Sequence, residues 1–338
     1  MMEKVDLTNF KDIRELDKIR IVDDRGYTQF IFGFWLNLCF LNGHLEEKRL
    51  RGIDVLESYR QLFQKEITHY LPNNTARLRR IDDGAFVHYR EEARIKETHG
   101  YGFAASLYGF PNGKPSDDPT PYCAAFVTSS ENPFNPWYAR FDLYFPISWV
   151  VDRGFANFAE IVRGWCATFK PDHGTAGLSV IFDDSKGSEM SHALSAFPFI
   201  KRFPGLDYDY SVGWNAESSP YLGPKRGVAD TRRTIRCTNW LSILDDGFLA
   251  ELGSLEKVRE ALTPQCPVLP YEGGAILQAG PTPQLGDLNH GVVPEHYRTV
   301  ARLLKRLRFE DFTKPGLIRA PEPLDWVEES RAWIARFD

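Results

Sequence analysis

The chain has 338 residues, 43% of them hydrophobic and 26% charged, with a net charge of −5. That is ordinary for a globular protein long enough to bury a large core and to divide into two parts. No run approaches the roughly 18 apolar residues of a membrane span, and the charged stretch Met1 to Arg20 has no apolar signal core, so a cytoplasmic protein is expected. The five cysteines (39, 123, 166, 237 and 266) form no CxxC pair and read as reduced thiols.

In chain order, Gln29 to Leu41 predicts a strand: Phe30, Phe32, Phe34, Leu36, Leu38 and Phe40 share one face, and Ile31, Trp35 and Cys39 the other. Ile53, Leu56, Tyr59, Phe63, Ile67 and Tyr70 recur at helical spacing, and Pro72 closes that segment. Strands are predicted at 85–90, 101–109, 121–129 and 138–146, then a helix at 154–169 and a strand at 176–182. A short helix near 187–196 precedes an irregular crossing at 203–230. A strand at 231–238, helices at 241–252 and 255–262, and strands at 266–271 and 274–279 follow. The chain then passes a Gly/Pro loop and a helix at 295–308 to a last amphipathic segment after Pro323.

Charge and aromaticity are unevenly spread. Residues 101–220 carry 8 basic against 13 acidic side chains and 24 of the 46 aromatics, whereas the flanking thirds are charge-balanced. Acidic and aromatic together suit a surface that meets a basic partner, since Tyr and Trp anchor interfaces and charge steers encounter. The densest such cluster is Asp207-Tyr208-Asp209-Tyr210 with Trp214, in the irregular crossing, where no periodic core face accounts for the rings. The plainer reading is aromatic core with scattered solvated acids.

Sequence chemistry is sparse. Nucleophile-elbow, P-loop, zinc-protease and dinucleotide-binding motifs are all absent, and the eight histidines lie singly. No cofactor, metal or small-molecule substrate is therefore expected. Asp183-Asp184, at a predicted strand end, reads as an acid pair or, more plainly, as helix entry with Asp184 as N-cap. Thr231 to Arg236 alternates like a strand with a basic face, but at a pI near 6.0 it makes no nucleic-acid stripe. The loop Ile276 to Asp287 holds two glycines and two prolines after a strand, yet offers Asp287 as its only ionisable side chain. Such a loop suggests recognition rather than catalysis.

An internal echo links Ser148-Trp149…Asp152-Arg153-Gly154-Phe155 with Asn239-Trp240…Asp245-Asp246-Gly247-Phe248. Two copies of a strand–helix–strand unit would give an α+β fold of two lobes, with mixed or antiparallel sheets and packed amphipathic helices. The lobes are expected at about 1–220 and 221–312, with an amphipathic tail at 313–338.

Thr238-Asn239-Trp240-Leu241-Ser242-Ile243-Leu244-Asp245, then Gln278-Ala279-Gly280-Pro281-Thr282-Pro283-Gln284-Leu285-Gly286-Asp287, then Tyr297 to Leu304, resemble bacterial type VI secretion immunity proteins of the TsiV class. The resemblance spans about residues 30–310. It implies a non-enzymatic immunity protein that binds and neutralises a cognate antibacterial effector acting in the cytosol, and some relatives look paired with nucleases of the virus-type replication-repair class. The effector is then the partner, with no direct nucleic acid or membrane contact. Asn239, Trp240, Gly280, Pro281, Gly286 and Asp287 are landmarks with a structural look. Asp183, Asp184, Asp207, Tyr208, Asp209, Tyr210 and Trp214 are the candidate contacts. An effector-loading chaperone, or an enzyme with an Asp/His site, is the rival reading.

Overall fold

The structure, a computed structural model, describes residues 12–73, 75, 77–95, 102–110, 113–116, 118–128, 139–182, 190–208, 233–309 and 318–338. A hairpin, β1 (Arg20–Val22) and β2 (Thr28–Phe40), leads into helix α1 (Glu46–Leu62). Every residue of β2 is buried, so its period-two pattern reports two covered faces. The chain continues through β3 (His69–Leu71), β4 (Arg79–Arg80), α2 (Ala85–Arg94), β5 (Ala104–Tyr108), β6 (Cys123–Val127) and β7 (Ala139–Phe145). Then come α3 (Ile147–Arg153), α4 (Phe155–Phe169), β8 (His173–Phe182), α5 (Met190–Arg202) and β9 (Asp207–Tyr208). The last third holds β10 (Leu241–Asp245), α6 (Asp246–Glu251), α7 (Leu255–Leu262), β11 (Val268–Tyr271), β12 (Gly274–Gln278), α8 (Glu295–Leu304) and α9 (Trp326–Ile334).

The described strands form one twelve-stranded sheet in the order β11-β12-β10-β8-β2-β7-β6-β5-β3-β4, with β1 added to β2 and β9 to β8. All pairs are antiparallel except β8 with β9, so the fold is α+β with a mixed sheet. The last-third strands join β8 directly through β10, and the expected lobe boundary near 220 falls outside the described residues.

One face of β2 meets the helices in an aromatic lattice. Phe34 packs edge-on to Phe158 of α4 at 5.5 Å between centroids, Phe40 to Phe169 at 4.8 Å, and Phe30 to Phe199 of α5 at 5.6 Å. Trp240 joins the same lattice against Phe155 at 5.6 Å and Phe158 at 6.2 Å.

Four elements differ from the sequence expectation, each because tertiary contacts outweigh local pattern. Helix α1 stops at Leu62, and His69–Leu71 turns away to pair with β5, although Ile67 and Tyr70 keep the helical spacing. Residues 85–90 are helical: Ala85, Tyr89 and Ala93 are buried at spacings of four, and the Tyr89 hydroxyl lies 2.9 Å from the carbonyls of both Leu71 and Ser106, its one proton serving either. Leu241–Asp245 is a strand held between β8 and β12, not the start of a helix. In the predicted strand 231–238, the described part makes only an isolated bridge from Ile235 to Arg308. Trp149 lies inside α3 and Trp240 just before β10, so the two halves of the internal echo occupy different kinds of element.

Candidate partner surface and the polar layer beneath it

The second face of the sheet is polar at its centre. Register places Trp35 opposite Tyr144 and Gly177, Asn37 opposite Asp142 and Thr175, and Cys39 opposite Arg140 and His173. Asp142 accepts from Trp35 Nε1 at 2.9 Å and Asn37 Nδ2 at 2.8 Å, and pairs with Arg140 at 2.6 Å, all with Asp142 buried. Burial, helped by Arg233 and Arg236, pushes His173 down to about 3, so this imidazole is neutral.

Beside that group, Asp207 is paired with Arg236, and both are essentially inaccessible. Asp207 also accepts from Asn239 Nδ2 at 2.9 Å, from its neighbour's amide, Tyr208 N, at 2.7 Å, and from the Thr175 hydroxyl at 3.4 Å. The Arg236 guanidinium lies 4.5 Å from the ring centre of Trp35 and 5.5 Å from that of Trp333 on α9. Asn239 fits because β8 has Gly177 opposite Trp35: a Cβ there would collide with the Asn239 amide. One buried layer thus links β2, β8, β9, the 233–240 crossing and the C-terminal helix.

The exposure expected for the acidic-aromatic cluster is not met at its first two residues. Asp207 and Tyr208 are each 1% exposed, because the Asp207 carboxylate answers Arg236 and the Tyr208 ring packs edge-on against Phe182 at 5.7 Å. Asp209, Tyr210 and Trp214, with Asp183 and Asp184, lie outside the described residues. Parallel pairing of Ser179 with Asp207 and Val180 with Tyr208 brings the ends of β8 and β9 out on the same side of the sheet. The β1–β2 turn is also there, since Phe30 pairs with Phe182. Its Asp24, Arg25 and Tyr27 are exposed, Tyr27 to 60%, with the Arg25 guanidinium 6.0 Å from the Tyr27 ring centre. Sequence reading missed this charged turn because it lies outside the middle third.

The Gly/Pro loop is knitted into the core at both ends. The carbonyl of Gly280 accepts from Trp240 Nε1 at 3.1 Å and from Gln278 Nε2 at 2.9 Å. Gly280 and Gly286 have φ of +82° and +67°, a region that favours glycine. Asp287 caps a 3-10 turn at Leu288–His290, takes a two-pronged bond from Arg202 at 3.0 and 2.9 Å, and contacts His290 Nδ1 at 2.7 Å. The Arg202 guanidinium, with hydrogen bonds from His290 and the Asn289 amide, holds its carboxyl far below the usual range. Pro281 is exposed.

A sequence profile described as "Type VI immunity for VRR-NUC" matches residues 53–337. The chain belongs to the TsiV family.

It is therefore a type VI secretion immunity protein directed against an effector. The TsiV match runs through α9, beyond the span carried by the Asn-Trp-Leu and Ala-Gly-Pro pieces alone. Among solved structures, the Pseudomonas aeruginosa T6SS protein PA0821 shares the fold, with a TM-score of 0.73 at 19% identity over 96% of this chain and 90% of that one. No curated protein matches. Among the described residues of this TsiV protein, no three His, Cys, Asp or Glu converge as a metal-binding group, and no helix is long and apolar enough to cross a membrane.

Proposed function

We propose that this protein neutralises a cognate VRR-NUC nuclease effector in the cytoplasm by stoichiometric binding, without turning over a substrate of its own. The observation that carries the reading is the TsiV match over residues 53–337. Supporting it, the polar groups of the second sheet face are committed to one another: Asp142 to Trp35, Asn37 and Arg140, and Asp207 to Arg236 and Asn239. A nuclease exposes a basic cleft to phosphate, so acids and rings at the β8–β9 end of the sheet are its natural complement.

In this reading Asp183, Asp184, Asp209, Tyr210 and Trp214 remain contact residues, while Asp207 and Tyr208 serve as the buried footing of the same segment. The test is co-expression. Cells carrying the effector nuclease are expected to grow when this chain is present and to lose their DNA when it is absent. Toxicity that is unchanged or increased would favour the effector-loading chaperone instead.

A further inference from the structure

A groove of about 160 Å³ opens between α5, the 3-10 turn at Leu288–His290 and α9. Phe197, Ile200, Leu288, Ile318 and Trp333 give it apolar walls. Its size matches the ~150 Å³ apolar cavity that holds one benzene ring. The charged side chains of its lining are Lys201, Glu329 and Arg336. Lys201 and Glu329 pair with each other, which leaves the charge of Arg336.

Arg336 donates to three carbonyls: from Nε to Pro204 at 2.7 Å, from Nη1 to Trp333 at 2.9 Å and from Nη2 to Thr238 at 3.1 Å. Its guanidinium lies over the rings of Trp333 and Phe337, 3.8 and 4.6 Å from their centres. The Cys237 thiol is its other polar neighbour, and among the described residues no carboxylate pairs with it. By contrast, Arg202, Arg236 and Arg308 each have one, in Asp287, Asp207 and Asp338. Burial, with Arg236 close by, pulls Arg336 down to about 10, so it remains charged at neutral pH at a cost in free energy. An incoming carboxylate would supply the missing counter-charge, and the planar guanidinium fork suits that shape.

We infer that this groove binds a small organic monocarboxylate, with an aryl or branched alkyl group between Phe197, Ile200 and Trp333 and the carboxylate on Arg336. The ligand is held rather than converted, since the lining adds only apolar groups and the Lys201–Glu329 pair. Arg336 ties α9 to the end of α5 through Pro204 and to the 233–240 crossing through Thr238. A counter-ion on it therefore strengthens that seam, and occupancy stabilises the fold by mass action. The inference stands apart from the immunity reading, because it rests on the groove alone.

The test titrates the full-length chain at neutral pH with 3-phenylpropionate and, separately, with 3-phenylpropionamide, which has the same shape and no charge. Binding is followed by NMR and by the shift in Tm. The acid is expected to bind with a Kd of about 0.1–1 mM and to raise Tm. The amide is expected to bind at least about tenfold more weakly, for want of the charge-assisted bond. Ala332→Trp, at an exposed position of the lining on α9, puts a ring in the groove and should abolish binding while the chain stays folded. Arg336→Gln should remove the preference for the acid; if it does not fold, the comparison of acid with amide on the wild-type chain carries the test. Equal affinity for acid and amide would overturn the role of Arg336 and the proposal with it. Undiminished binding to Ala332→Trp would overturn the location, and no binding of the acid at about 10 mM would overturn the site altogether. None of these results bears on rescue from the nuclease.

Discussion

Asp207→Ala is expected to lower folding stability by about 3–5 kcal/mol, the cost of leaving one partner of a buried ion pair uncompensated. The abandoned Arg236 is 2% exposed, with the rings of Trp35 and Trp333 over it and no route to water. Asn239 and Thr175 lose their acceptor in the same step. If the pair matters through charge compensation, Asp207→Leu combined with Arg236→Met should be far milder than Asp207→Ala, because packed apolar residues often replace a buried ion pair with little loss. Urea denaturation of the three proteins checks this. A change below about 1 kcal/mol for Asp207→Ala would mean that solvent reaches Arg236 and that the layer is not buried.

Trp240→Ala is expected to cost a similar amount, about 3–5 kcal/mol, for a different reason. The ring is fully buried among Phe34, Phe155 and Phe158, and its Nε1 donates to the carbonyl of Gly280. Removing it opens a cavity in the main core and frees the start of the Gly/Pro loop. Trp240→Phe should recover most of the apolar contact and leave the Gly280 carbonyl short of one donor, although Gln278 still reaches it. Its expected loss is therefore smaller, about 1–2 kcal/mol. Equal losses in the two variants would locate the stabilisation in the hydrogen bond instead of the ring.

The two substitutions bear on what the chain showed before its structure was known. The apolar elements were legible: β2, α4, β8, the β11–β12 hairpin and α8 announce themselves by period, since burial on one or two faces leaves a repeating signature. Residues 85–94 misled because Phe86, His88 and Arg90 alternate like a strand, while Ala85, Tyr89 and Ala93 carry the helical face. Residues 233–238 misled for a deeper reason. Arg236 in isolation reads as a solvated basic face, and only the long-range approach of β9 and α9 makes it an interior ion-pair partner.

The same blindness governed the candidate contacts. Asp207 and Tyr208 looked exposed because acids beside an irregular stretch usually are; parallel pairing with β8 puts them inside. The β1–β2 turn with Asp24 and Tyr27 reached the same sheet end from a distant part of the chain, through pairing with β8 that no local pattern encodes. The groove of α5 and α9 was likewise hidden, as its walls are far apart in sequence. The loop at 280–287 was visible from its glycines and prolines, and its carbonyl bonds to Trp240 and Gln278 place its start in the core.

The central claim is that this TsiV protein silences its effector by binding it one to one. It is tested most directly by titrating a fixed amount of purified VRR-NUC effector nuclease with the chain and following plasmid cleavage. Cleavage should fall linearly and vanish at equimolar protein, with the complex surviving gel filtration as a single species. Full cleavage at a large molar excess of the chain, or complete protection at a small fraction of an equivalent, would contradict it.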